Sequence, residues 1–151
     1  MDDDLRAVTD RLAIGELLAV YCTALDQRDW ARLHDVFAPE ATCDYGSLGS
    51  PQGVAEIIRL ISSTLQALDA TQHLIGNVTV SVDGDEATAG CYLISQHVRA
   101  GTAGGEHYMI GGRYADRLVR TPQGWRITSR TLHRMWTSGN REVVQRPAAA
   151  T

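Results

Sequence analysis

Apolar residues follow two different periods along this chain, and the change between them divides it. From Leu5 they recur at Val8, Leu12, Leu17, Leu18, Tyr21, Cys22 and Leu25, three to five residues apart or adjacent, which predicts one long amphipathic helix. Asp2, Asp3 and Asp4 put negative charge where a helix N-terminus favours it. The stretch DWARLHDVF predicts a short second helix that turns Trp30, Leu33, Val36 and Phe37 inward and stops before Pro39. ATCDY reads as a short strand. In SPQGVAEIIRLISSTLQAL, Ser50 is the expected N-cap and Pro51 the first helical residue. The stripe of that helix is Val54, Ile57, Ile58, Ile61, Leu65 and Leu68.

In the second half the period drops to two. HLIGNVTVSV and EATAGCYLISQHV predict strands joined by a hairpin-type turn at Asp83-Gly84. RAGTAGGE is a loop, and HYMIGGRYADRLVR is a long strand in which Gly111-Gly112 signals a bulge or sharp curvature. TPQG turns the chain into WRITSRTLHRMW, and the tail, 145–151, reads as frayed. Helices first and strands after predict a single α+β domain over residues 1–151. A curved, mixed or antiparallel sheet, wrapped by the N-terminal helices, would form a cone-shaped α+β barrel with a small-molecule pocket inside.

Bulk composition agrees with a globular domain and narrows its partners. The apolar share is 44%, charged residues make up 21%, and 14 Gly and 4 Pro are ordinary usage. A net charge of -4, without a Lys/Arg cluster, argues against nucleic acid. Three widely spaced cysteines, Cys22, Cys43 and Cys91, read as buried thiols rather than a disulfide framework or zinc site. The acidic start MDDDLRAV lacks an export signal, and no apolar run approaches ~18 residues, so a cytoplasmic protein without a membrane span is expected. The five histidines show no metal-ligand spacing, so no metal is expected.

Two ionisable residues stand in unusual places. Asp26 comes at the end of the first helix, where the dipole disfavours a carboxylate by ~0.3–1 kcal/mol. It lies four residues after Cys22 and so shares a partly apolar face with it. An Asp there commonly faces water unless a partner is aimed at it. His73 in TQHLIGN is the candidate partner, although a histidine at a strand start is commonly a boundary residue. Alternation puts His73, Ile75 and Asn77 on one face and Leu74 and Gly76 on the other. Tyr45 ends the short strand beside Asp44. Tyr108, Ile110, Gly112 and Tyr114 share a face, so two rings would flank an open space. Arg130, mid-strand, requires a partner or a site.

YCTALDQRDWARLHDVFAPEATCDY, TQHLIGN and GRYADRLVRTPQGWRITSR, in that order and spacing, resemble the SnoaL-like branch of the nuclear-transport-factor-2-like superfamily, which includes scytalone dehydratase and hexachlorocyclohexane dehydrochlorinase. The resemblance spans roughly Leu5 to Trp136. It implies that Asp26 orients His73, that His73 removes a proton, that Tyr45 matches the dehydratase tyrosine, and that Arg130 matches the dehydrochlorinase arginine. Two positions depart from the dehydratase pattern. Leu25 stands where a tyrosine precedes the helix Asp, and GGRY occupies the region of a second histidine in the long strand.

The expectation is a cofactor-independent lyase performing a dehydratase-type elimination on a small, cyclic, hydrophobic or aromatic molecule. His73, Asp26 and Tyr45 would be the catalytic residues, with Arg130, Tyr114, Tyr108 and His97 contacting substrate. A polyketide-type cyclase or ketone isomerase using the same pocket is the alternative enzyme, and a non-catalytic ligand-binding module the alternative from another class. The outer sheet face is expected to be covered by further copies, as a homodimer or homotrimer.

Overall fold

The computed structural model describes residues 2–145, so the expected frayed tail falls, from residue 146 onward, outside the described residues. Helix α1 (Asp3–Gln27) is followed by a 3-10 turn (Trp30–Asp35), strand β1 (Phe37–Asp44), a second 3-10 turn (Gly46–Leu48) and helix α2 (Val54–Leu65). Four long strands complete the fold: β2 (Ala70–Asp83), β3 (Glu86–Val98), β4 (His107–Thr121) and β5 (Gly124–Gly139), with a last 3-10 turn at Arg141–Val144. The sheet order is β1-β5-β4-β3-β2. β1 pairs parallel to β5 and the other neighbours are antiparallel, so the sheet is mixed and its free edges are β1 and β2. This is the expected α+β architecture, with the helices on the concave side of a curved, unclosed sheet.

The first helix buries a different face from the one its apolar spacing suggests near the start. Ile14, Leu18, Tyr21, Cys22 and Leu25 are buried, whereas Leu5, Val8 and Leu12 are more than half exposed. Leu12 and Ile14 are two residues apart, roughly 200° around the helix, and cannot both face the sheet. The inward position of the first turns belongs to Asp10, which is 6% exposed. Its carboxylate accepts two bonds from Arg120, at 2.6 and 2.8 Å, and one from the Trp125 indole at 3.1 Å. Arg120 also bonds Asp85 at 2.9 Å and lies 4.4 Å over the Trp125 ring. One carboxylate thereby fastens the helix to the β4–β5 hairpin and, through Arg120, to the β2–β3 turn.

The intermediate segments shift by a few residues from expectation. DWARLHDVF forms a 3-10 turn capped by Asp29, and Phe37 already belongs to β1. Ser50 does not cap α2 and Pro51 is not helical. The Pro51 carbonyl accepts from the Cys43 amide and the Gly53 amide donates to the Ala41 carbonyl, so this run hydrogen-bonds along β1 and Gly53 becomes the N-cap.

At Gly111-Gly112 the register does slip. Gly111 pairs with Trp136 and Gly112 with Arg134, so the extra residue is Met135 on β5 and the alternation of β4 stays intact. A Cβ on Gly111 would overlap the Trp136 ring, and one on Gly112 would meet the His133 carbonyl oxygen at 2.6 Å. Both glycines are needed for β5 to approach this closely.

Candidate active site

Helix α1, the turn that follows β1, α2 and the concave face of the sheet line a cavity of about 490 Å³. His73, His97, Tyr45, Tyr108 and Tyr114 all line it. Its remaining walls are mostly apolar, including Leu25, Ile61, Leu65, Leu93 and Leu132.

His73 reaches the cavity because β2 enters with Thr71, His73 and Ile75 turned inward and Leu74, 67% exposed, turned outward. The expected face ends there. Asn77 is exposed and takes a left-handed conformation (φ 51°), and the β2–β3 register slips between Gly76 and Thr79. Asp26 sits in the last turn of α1, which closes with Arg28 in the left-handed conformation, its guanidinium donating to the Leu68 carbonyl. The Asp26 carboxylate lies 2.7 Å from Nδ1 of His73 and accepts the His73 backbone amide at 2.9 Å and the Thr71 hydroxyl at 3.4 Å. With a carboxylate at Nδ1, the proton belongs there and Nε2 keeps its lone pair. A charge that the helix end disfavours is thus held by a set of donors from β2.

The second imidazole of the cavity is His97, on β3 and not in the long strand around GGRY. Thr71 pairs with His97 and His73 with Ser95, so the two histidines are diagonal neighbours on one face. Their ring centroids are 5.8 Å apart, edge to face. Nδ1 of His97 donates to the Tyr108 carbonyl at 3.2 Å, which leaves its Nε2 as an acceptor. Burial, reinforced by the neighbouring His73, lowers its pKa from 6.5 to about 4.

Stability should follow that shift. Between pH 6.5 and about 4 the unfolded chain takes up a proton that the folded chain refuses, so stability is full above 6.5 and falls as pH drops. The loss amounts to about 3 kcal/mol, at ~1.36 kcal/mol per pH unit. Urea unfolding of the wild type and of His97→Gln at pH 7 and pH 4 measures it. An equal pH dependence in both proteins would refute the assignment.

Tyr45 follows β1 directly, and its hydroxyl lies 3.0 Å from that of Tyr21, one helical turn before Leu25. Burial raises Tyr21 to about 12 and Tyr45 well above the usual tyrosine value, so both hydroxyls stay protonated. One proton makes the bond between them and the other is left for a ligand. Sequence reasoning passed over Tyr21 because it reads there as one more apolar position of the helix. Its place in line with Leu25 was the available signal.

Arg130, expected among the substrate contacts, does not line the cavity. It lies behind it with 1% exposure, its guanidinium 3.9 Å from the Tyr114 ring centroid and 4.3 Å from that of Tyr21. Asp116, its direct cross-strand neighbour, holds it with two bonds of 2.7 and 2.8 Å. Burial opposes the guanidinium charge, and Asp116, by charge and hydrogen bonds and with help from the tyrosines, more than offsets it, leaving the pKa raised. The three cysteines are free and buried, and burial pushes Cys22 to about 12 and Cys43 to about 11, so neither is a thiolate at neutral pH. Among the described residues no group of three or more His, Cys, Asp or Glu side chains converges as metal ligands do, and no helix is long and apolar enough to cross a membrane.

Comparison with known proteins places this architecture. Residues 6–131 match the SnoaL-like domain. An uncharacterized protein of Mycobacterium tuberculosis is 39% identical over 82% of this chain and 84% of its own length. Among solved structures, a candidate aromatic ring hydroxylase from Novosphingobium aromaticivorans is 29% identical, with a TM-score of 0.81 over 91% of this chain and 98% of that one. A candidate scytalone dehydratase from the same organism (18% identical, TM-score 0.81, 96% and 97% covered) and a hexachlorocyclohexane dehydrochlorinase (17%, 0.82, 98% and 100%) share the fold. The chain belongs to the SnoaL-like domain family.

Proposed function

We propose that this protein is a cofactor-independent lyase that eliminates water from a small cyclic molecule carrying an activated C–H. The observation that carries the reading is the 2.7 Å contact between Asp26 and Nδ1 of His73, which directs an unprotonated Nε2 into a largely apolar cavity. His73 removes the proton next to a carbonyl. The C–H electron pair becomes the new C=C bond, and the β-hydroxyl departs as water with the proton that His73 took, which returns the imidazole to its neutral form. Asp26 fixes the tautomer and stabilises the imidazolium. The Tyr21–Tyr45 pair donates a hydrogen bond through its free O–H to the carbonyl oxygen, where negative charge develops, and Nε2 of neutral His97 accepts a hydrogen bond from a substrate hydroxyl. Enzymes among the fold neighbours fit this reading.

The test is a set of cyclic β-hydroxyketones incubated with the protein in D₂O. Deuterium at the carbon next to the carbonyl, with loss of 18 mass units per water eliminated, supports the lyase. Exchange with mass otherwise unchanged identifies the isomerase or cyclase. Absence of exchange above the buffer rate leaves a binding module.

The same proposal includes a homo-oligomer. Leu74, Ile94, Gly111 and Trp136 are successive cross-strand partners, and Leu74, Ile94 and Trp136 form an exposed apolar row across the outer face. A second copy is the occupant proposed for it. Sedimentation should give a dimer or trimer that Trp136→Glu dissociates; a wild-type monomer at micromolar concentration would remove this part.

A further inference from the structure

The cavity's solvent-exposed lining residues mark its entrance, and two of them are arginines. Arg134 extends from β5 just before the bulge, and Arg141 comes from the last 3-10 turn, opposite the turn that carries Ser47 and Leu48. Arg141 bonds the Ser47 hydroxyl at 3.3 Å. The Arg134 side chain makes no hydrogen bond among the described residues, and neither arginine is in an ion pair with a described carboxylate. The neighbouring Arg99, by contrast, is consumed by Thr102 and by the Glu142 and Gln145 carbonyls. Among the described residues no Asp or Glu lines the cavity. In a chain of net charge -4, two unneutralised guanidinium groups therefore face one apolar opening.

We infer that Arg134 and Arg141 form a carboxylate-binding pair, and that the substrate of this cavity is a cyclic, largely apolar acid whose ring enters toward His73 while its carboxylate stays at the mouth. A planar guanidinium matches a carboxylate with paired hydrogen bonds. A phosphate is the poorer occupant. Phosphate sites ordinarily add free backbone amides, and here the amides of Gly46, Leu48 and Gly49 are all engaged within their own turn. Since the ring and carboxylate are held apart, the arrangement also sets which end of the molecule meets the base. The inference deepens the reading of the cavity as a substrate site and rests on it for the ring's orientation, but its test measures binding alone.

Three probes with one ring system separate the outcomes: 2-naphthol, 2-naphthoate and 2-naphthyl phosphate, titrated against the full chain at low and high salt. The expected result is that naphthoate binds about tenfold more tightly than naphthol, as a charge-assisted bond supports. That preference should shrink in high salt and vanish in the Arg134→Gln/Arg141→Gln protein, in which naphthol affinity is unchanged. His73→Ala should retain it. Equal affinities for naphthol and naphthoate, binding of neither, a preference that survives the double substitution, or tighter binding of the phosphate ester would each overturn the inference. If carboxylate preference holds while no proton exchange is found, the lyase reading fails and the acid-binding cavity stands; exchange without the preference gives the reverse.

Discussion

Replacing His73 by alanine lowers deuterium exchange next to a substrate carbonyl by about 10²–10⁴-fold, the range a positioned general base contributes. The circular-dichroism spectrum of the folded protein should be unchanged, because the ring faces the cavity and not the packed interior. Asp26→Asn is the more discriminating partner. An asparagine keeps the shape and still accepts the His73 amide through its oxygen. Its NH₂, however, donates toward Nδ1 and drives the imidazole proton to Nε2, the nitrogen that must be free. Loss of exchange should therefore approach that of His73→Ala, with stability largely kept. Exchange measured by proton NMR on the same ketone decides both. Wild-type exchange in His73→Ala would sink the general-base role outright, whereas wild-type exchange in Asp26→Asn alone would remove only the positioning role of Asp26.

The parts of this arrangement that could be read from the chain are those where local and long-range signals coincide. Asp26 contradicts the helix dipole and His73 begins a strand, and the oddity of the first is explained by the second. The α+β order followed from the change of hydrophobic period. What escaped depends on pairing across the sheet. His97 was expected among the substrate contacts, but its place beside His73 follows only from the β2–β3 register, in which it pairs with Thr71. Asp10 could not be distinguished from a solvated helix residue, since Arg120 and Trp125, its partners, are more than a hundred residues away. The start of α2 moved from Ser50 to Gly53 because the intervening amides and carbonyls found β1 first. Arg130 was legible as a charge that needs a partner. That its partner is Asp116, behind a wall of two tyrosines, was not, because β5 carries an extra residue on either side and alternation along it fails.

Asp116→Asn tests that buried pair and should produce the largest loss of stability, about 3–5 kcal/mol, as expected when one partner is removed from a desolvated ion pair. The side chains of Arg130 and Asp116 are both at 0% exposure, so no solvent screens the unpaired guanidinium that remains. Nη1 of Arg130 already lacks a hydrogen-bond partner among the described residues, so the group has little reserve when two bonds weaken. For a chain of this size the change corresponds to a fall in Tm on the order of 10 °C, readable by calorimetry. Arg130→Met/Asp116→Leu removes both charges and should recover much of the loss, since apolar replacements of buried pairs are often neutral. Stability within 1 kcal/mol of wild type for Asp116→Asn, measured by denaturant unfolding, would contradict the reading of this pair. Activity should part from stability in the double variant. Tyr21 and Tyr114 lose the cation their rings flank, and with it the stacking that fixes the Tyr21 hydroxyl against Tyr45. A refolded but slow double variant would assign Arg130 to positioning the tyrosine pair, one layer behind the chemistry.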